Sequence, residues 1–169
     1  FERNTGFCQS DGLLAAATAL FAPRVAEAQL GPYQYYAITP CRAYDTRTGL
    51  PSAGGTNGGV MITATPRAFR MRGLCGVPAT AAAVSVNLTV TNPQAVQGDL
   101  RVAPYPGTFP DQSTSNYYAG ETVANGAIVP LGTVAVPGTN PDIQIDGAGA
   151  PFTQPWTYHL LIDVTGYFQ

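Results

Sequence analysis

Few side chains in this sequence could act in acid–base or nucleophilic catalysis. A Ser–His pair would need His159, which is the sole histidine and stands in a strongly apolar run, so we interpret it as structural. Paired carboxylates for glycoside hydrolysis would have to come from Asp142, Asp146 and Asp163. The dipeptide Asp146-Gly147 is typical of a hairpin turn, and Asp163 is expected at the end of a strand. The sequence therefore predicts a protein that is not an enzyme.

Metal and cofactor sites are not indicated either. Asp142 and Asp146 with nearby carbonyl groups could hold calcium, yet their spacing does not match an EF-hand loop. The sequence contains no CxxC pair, zinc motif or phosphate-binding glycine loop. Asp45 and Arg47 would face the same way on an extended strand, and we interpret them as a structural polar pair rather than as ligand contacts. We expect no metal and no cofactor.

Two of the three cysteines are candidates for a disulfide. Cys41 and Cys75 each stand beside a turn residue, where two backbones can approach closely. A bridge between them would close a loop of about 34 residues and stabilise the fold by about 3–4 kcal/mol on the chain-entropy model. Two buried free thiols are the alternative. Cys8 is left over, either inert or able to cross-link to another chain.

Aromatic residues are more numerous than the packing of a core requires. One interpretation is ordinary packing with the tyrosine hydroxyls at the rim of the core. The other is a contact surface for a partner protein or a sugar, because Tyr and Trp dominate binding hot spots. The candidates for such a surface are Tyr35, Tyr36, Tyr117, Tyr118 and Trp156.

The first 30 residues differ from the rest and form a candidate N-terminal arm. They contain an apolar, alanine-rich run that includes Leu13, Leu14, Leu20 and Phe21. The run is too short to cross a bilayer, which takes about 20 residues. One interpretation is a secretory signal peptide cut before Gln29, although the segment before the run lacks the usual positive charge. The other is a retained arm, helical over about residues 13–28, that docks on its own domain or on a neighbouring copy.

Residues 31–169 are predicted to form one β domain, because apolar and polar residues alternate with a period of two. The run 83–91 is the clearest case, and 160–162 is apolar on both faces, as expected of a central strand. Several short strands separated by Gly and Pro turns predict an antiparallel β-sandwich, of which the jelly roll is one form. The predicted strands cover residues 33–39, 60–65, 68–71, 83–91, 99–103, 127–131, 143–145 and 158–164.

The overall composition narrows the class of partner. Hydrophobic residues make up 45% of the chain, which argues against disorder. Charged residues make up only 11%, against about 25% in an average protein, so solubility depends on uncharged polar side chains. This composition is typical of extracellular β proteins and of surfaces that associate with neighbours. The net charge of −2 provides no basic patch for a phosphate backbone, so we expect no nucleic-acid partner.

Six short phrases occur in fixed order: ITPCR to DTR (38–47), GVPATA (76–81), VNLTVTNP (86–93), GDLRV (98–102), TVAN to VPLG (122–132) and IDVTGYF (162–168). Together they resemble a β domain found, often repeated, in secreted and cell-surface proteins of bacteria, including wall-associated hydrolases of actinobacteria. The resemblance covers about residues 36–169. It implies an extracellular, non-catalytic module that is usually accessory to another activity, and it supplies no catalytic residues. We interpret the module here as standing alone behind an arm, and we therefore expect it to act by itself or by assembling with itself.

Two functional hypotheses follow. The first is an extracellular structural subunit that self-assembles into a filament or surface layer, the arm of one copy occupying a groove or sheet edge of the next. The second is a secreted carbohydrate-binding or adhesive module that holds a partner to cell-wall glycans. The expected partners are therefore copies of the chain itself or wall polysaccharide, with no membrane span.

Overall fold

The computed structural model describes residues 32–49, 58–133 and 136–169. The predicted arm, with Leu13, Leu14, Leu20 and Phe21, lies outside the described residues, as does Cys8. The described residues form nine strands and no helix. The strands are β1 (Tyr35–Asp45), β2 (Met61–Ile62), β3 (Arg67–Phe69), β4 (Ala83–Thr91), β5 (Gln97–Pro104), β6 (Ser115–Tyr118), β7 (Thr122–Pro130), β8 (Ile143–Ala150) and β9 (Thr157–Phe168).

The strands form two antiparallel sheets that enclose one core. The first sheet has the order β1-β9-β4-β7, with the short β2 also paired to β9, at the start of that strand. The second sheet has the order β3-β8-β5-β6. Side chains from the inner faces of both sheets, such as Leu88 from β4 and Leu100 from β5, are fully buried in the same cluster. The predicted antiparallel β-sandwich is confirmed.

Strand β4 shows how the sequence pattern becomes packing. Its inner face consists of Val84, Val86, Leu88 and Val90, all buried, while the residues between them face outward. Burial of each such side chain contributes about 1.5–3 kcal/mol, so the alternation fixes which face turns inward. The predicted bounds of this strand agree with the observed ones.

Strand β9 is the central strand of the first sheet, hydrogen-bonded to β1 on one side and β4 on the other. Leu160, Leu161 and Ile162 are all buried, although successive side chains of a strand point to opposite faces. The prediction of a central strand buried on both sides is therefore confirmed.

Two local predictions about strand ends are wrong. Asp146 and Gly147 do not form a hairpin turn, because β8 runs straight through them and pairs with β5. Gly147 is required for packing instead: a Cβ atom there would lie 2.8 Å from the ring of Tyr158. Asp163 does not end its strand either, since β9 continues for five residues to Phe168. The bridge between Asp163 and Arg42 of β1 accounts for a charged residue in mid-strand.

Other strands differ in extent. β1 begins later than predicted and continues past Cys41 to Asp45, with register shifts between Ala37 and Cys41 and between Arg42 and Tyr44. β7 and β8 are longer than predicted, and β2 is only two residues long. β6 was not predicted at all, because four residues are too few for the alternation to stand out.

Candidate functional site

The predicted cysteine pair joins β1 to the turn that follows β3. The sulfur atoms of Cys41 and Cys75 are bonded, and their Cα atoms lie 5.7 Å apart. Cys75 occupies this turn with a positive φ of 52°, next to Gly76. The prediction of a disulfide between these two residues is confirmed, and the bond ties down β1 where its register shifts.

The predicted pairing of Asp45 with Arg47 is also confirmed, and it belongs to a larger charged cluster beside the disulfide. The Asp45 carboxylate accepts hydrogen bonds from the backbone N–H of Arg47 at 3.0 Å and from its guanidinium at 2.7 and 3.0 Å. Arg42 donates to Asp45 and to Asp163. Hydrogen bonding to Arg47, more than any other interaction, lowers the pKa of Asp45 to about 2. The Asp45 carboxylate is therefore ionised and paired, and it is not available as a general acid.

His159 and Asp142 also have structural partners. The ring Nδ1 of His159 lies 3.2 Å from the hydroxyl of Thr46, which in turn accepts the backbone N–H of Leu160. Asp142 is 0% exposed and forms an ion pair with Arg72 at 2.6 Å. Within the three described ranges, no group of three or more His, Cys, Asp or Glu side chains could hold a metal ion. The part of the chain that the structure describes also contains no helix long and apolar enough to cross a membrane.

The predicted contact aromatics do not form one surface. Tyr35 and Tyr36 are exposed, but they are neighbours in β1 and point to opposite faces; the ring of Tyr36 stacks on Tyr167 with centroids 5.1 Å apart. The assignment of Tyr117 to a contact surface is wrong. Tyr117 is 1% exposed, because it falls on the core face of β6 and its hydroxyl donates to the carbonyl of Ala148. Its neighbour Tyr118 points outward and is exposed.

Trp156 is half-buried and holds a loop rather than presenting its ring. Its indole N–H donates to the carbonyl of Pro151 at 2.9 Å. Its backbone N–H donates to the hydroxyl of Thr63, and its carbonyl accepts the N–H of the same residue. These bonds hold both ends of the segment 151–156, which carries Phe152 at its exposed tip. Phe152 is 83% exposed.

A groove runs across the outer face of the second sheet, below Phe152. Its first part has a volume of about 350 Å³, and four of its lining side chains project from adjacent strands. Gln97 and Asp99 come from β5, and their antiparallel partners Tyr118 and Asn116 come from β6. Residues two apart on a strand share a face, so the register brings all four to one side of the sheet. The sequence did not single out Gln97, Asp99, Asn116 or Phe152.

The groove continues into a second depression of about 420 Å³, and the two share Gly149 and Phe152 in their linings. The second part presents the hydroxyl group of Thr65 and the amide of Gln154, whereas Thr63 is buried and its hydroxyl accepts the backbone N–H of Trp156. Polar residues recur at every second position in Gln97-Gly98-Asp99, which indicates that they share one face of a strand. This pattern does not reveal that the segment pairs with Asn116-Tyr117-Tyr118, so the groove could not be predicted from it.

The charges beside the groove are mostly neutralised among themselves. Arg101 on β5 lies 3.7 Å from Asp99 and 3.3 Å from Asp146, and its guanidinium also lies over the ring of Phe109. Burial raises the pKa of Asp146, in spite of its hydrogen bond from the Gly147 N–H. Of these three charged side chains only Asp99 lines the groove, so the groove itself presents a carboxylate and no cation among its described lining residues.

The two edges of the first sheet differ in character. At one edge, β1 carries Pro40, Arg42, two register shifts and the disulfide. At the other edge, β7 pairs with β4 over nine residues without a shift and carries no charged side chain. Its outward-facing residues are Thr122, Ala124, Gly126 and Ile128, all exposed. Among the described residues, no further strand is paired to β7.

Comparison of the sequence with models of known protein families and with curated proteins found no match. The resemblance to the repeated β domain of bacterial secreted proteins therefore stays a prediction. What the chain does has to be argued from the geometry of its own surfaces.

Proposed function

We propose that the protein is a non-catalytic, extracellular structural subunit that self-assembles into a filament or surface layer. The observation that carries the proposal is the unprotected edge of β7. Proteins normally block an edge strand with charges, Pro or bulges, because its free N–H and C=O groups template the addition of another strand. β1 has all of these features, whereas the nine residues of β7 have no charge and no bulge, and their single Pro is the last residue.

The occupant of this edge is the N-terminal arm of another copy, in an extended form rather than in the helical form that its alanine and leucine residues also favour. Residues 1–30 precede β1, and β1 stands at the edge of the first sheet opposite to β7. With three inter-strand spacings between them, the two edges are about 14 Å apart. A contact from one edge of a copy to the other edge of the next is heterologous, so it propagates into a polymer unless it closes into a ring.

The arm has the composition that such a contact needs. Leu13, Leu14, Leu20 and Phe21 lie in an apolar, alanine-rich run that contains one polar residue, Thr18. Burial of this run against a protein surface is favourable because it removes apolar area from water. The Cys41–Cys75 disulfide supports an extracellular location, because disulfides persist in oxidising compartments. The low share of charged residues, 11%, reduces the repulsion between copies.

Two variants test the proposal. Deletion of residues 1–30 removes the donor, and the double substitution Ala124→Lys/Ile128→Lys places two charges on the acceptor edge. Ile128 is 64% exposed, so Lys is accommodated there without disturbing the core. The matched control is Val96→Lys, since Val96 is 63% exposed and immediately precedes β5 of the second sheet rather than standing in β7. Assembly is followed by sedimentation and by electron microscopy of negatively stained samples.

We expect the wild type and Val96→Lys to form polymers, and both test variants to remain folded monomers. Polymers that persist without residues 1–30 would show that the arm is not the donor. Polymers that persist in the double Lys variant would show that β7 is not the acceptor.

A further inference from the structure

The groove on the outer face of the second sheet has the features of a ligand site. Its two parts, of about 350 and 420 Å³, each fall within the range of about 300–1,000 Å³ that is usual for small-molecule sites. Its floor is low because Ala150, the β8 partner of Gln97 and therefore on the same face of the sheet, carries only a methyl group. Two exposed aromatic residues stand above it, Tyr118 at the end of β6 and Phe152 on the loop after β8.

These two rings supply apolar faces to a ligand. Tyr118 is 59% exposed, and Phe152 at 83% is the most exposed large hydrophobic residue in the described part of the chain. A ligand with a flat apolar face that covers either ring removes that surface from water, which is favourable. Because the Trp156 indole and backbone hold the ends of the Phe152 loop, the loop ends need little ordering when a ligand binds.

The polar side chains between the rings match hydroxyl groups. Gln97 and Asn116 each offer an amide that both donates and accepts hydrogen bonds, as a hydroxyl group does. Asp99 offers a carboxylate, which accepts charge-assisted hydrogen bonds from hydroxyls. Their spacing is set by the β5–β6 register, in which Gln97 faces Tyr118 and Asp99 faces Asn116.

The charges of the groove disfavour the binding of acidic ligands. Among the described residues that line the groove there is no Lys or Arg, and Arg101, two positions beyond Asp99 on β5, already faces the carboxylates of Asp99 and Asp146. A carboxylated or phosphorylated ligand would therefore meet the Asp99 carboxylate without a cation in the lining to bind it. The ligand that combines flat apolar faces, many hydroxyls and no negative charge is a neutral oligosaccharide.

We propose that this groove binds a neutral oligosaccharide, with sugar rings against Tyr118 and Phe152 and hydroxyls bonded to Gln97, Asp99 and Asn116. The chain of sugars continues past Phe152 into the second depression, where Thr65 and Gln154 offer a further hydroxyl and amide group. The site lies on the second sheet and the assembly edge on the first, and each proposal has its own experiment, so either can fail without the other.

Equilibrium dialysis of the full chain tests the proposal, because it measures binding by monomers and polymers alike. The probes are cellotetraose and chitotetraose, which are neutral, and tetragalacturonate, which is their acidic counterpart. We expect at least one neutral probe to bind and the acidic probe to bind more weakly. Phe152→Ala and Tyr118→Ala should each weaken the binding of the neutral probe about tenfold.

The matched control is Tyr35→Ala, which removes an exposed tyrosine from the first sheet and should leave binding unchanged. Circular dichroism and thermal unfolding establish that each variant is folded. The proposal is overturned if neither neutral probe binds, if the acidic probe binds more tightly, or if binding survives in both aromatic variants. Sedimentation of the same samples reports assembly separately, so loss of binding does not bear on the role of β7.

Discussion

Asp142 and Arg72 form a buried ion pair whose hydrogen bonds join four segments of the chain. The Asp142 carboxylate accepts hydrogen bonds from the backbone N–H groups of Met71 and Arg72 and from the Arg72 guanidinium, at 2.6–2.8 Å. Arg72 in turn donates to the carbonyls of Ala81 and Gly132. A buried charge is stable only when it is paired and hydrogen-bonded, and this pair meets both conditions.

Removal of that charge should destabilise the fold strongly. In Asp142→Asn the Arg72 guanidinium stays buried without a countercharge, which typically costs about 3–5 kcal/mol. The measurement is the free energy of unfolding from denaturant titration at neutral pH. Asp163→Asn is the matched control, because the Arg42–Asp163 pair is partly exposed and should cost about 1 kcal/mol or less. Equal losses in the two variants would contradict a structural role for the buried pair.

Acid should weaken the fold through Asp45. Its pKa is lowered from 3.8 to about 2, and its side chain is only 5% exposed. A carboxyl whose pKa is lower in the folded state stabilises the protein above its unfolded pKa, and this contribution is lost as the pH falls from about 4 towards 2. This lowering of the pKa corresponds to a contribution of about 2 kcal/mol to the free energy of unfolding. The free energy of unfolding of the wild type should therefore exceed that of Asp45→Asn by about 2 kcal/mol less at pH 2 than at pH 6. A difference that does not change with pH would contradict this role of Asp45.

At the scale of secondary-structure elements, the sequence predicts a strand correctly where the residue pattern within that strand is long enough to identify it. β4 alternates over nine residues, and β9 has a run that is apolar on both faces, so their position in the sheet follows from local pattern. The pairing of Cys41 with Cys75 and of Asp45 with Arg47 was likewise predictable, because each pair is marked by neighbouring residues.

The predictions that were wrong concern residues whose environment depends on partners distant in the sequence. Gly147 has the residue type of a turn, but a glycine is needed there because a side chain would collide with the ring of Tyr158, eleven positions later. Tyr117 is buried because β6 pairs with β5, and β6 is too short to be recognised by itself. The groove exists only through this pairing and through the Phe152 loop that Trp156 holds. No local pattern in the sequence could assemble it.

At the scale of the whole sandwich, the two proposed surfaces are separate. The assembly edge is the free side of β7 in the first sheet, and the groove lies across β5, β6 and β8 in the second. A polymer built through the first sheet would leave the groove of every copy open, unless packing between polymers covers it. Repeated weak sites along a polymer gain avidity for a polymeric ligand such as a polysaccharide.

The type of force that drives assembly gives the last prediction. Strand addition at β7 uses backbone hydrogen bonds and apolar contacts, since β7 has no charged side chain. Salt screens charges over about 30 Å at 0.01 M ionic strength but only about 3 Å at 1 M, so association through charged pairs weakens across this range. We expect the fraction of polymer in light-scattering and sedimentation assays to stay constant or rise between these concentrations. A polymer that dissolves as salt is added would show that charged groups, not the edge of β7, hold the copies together.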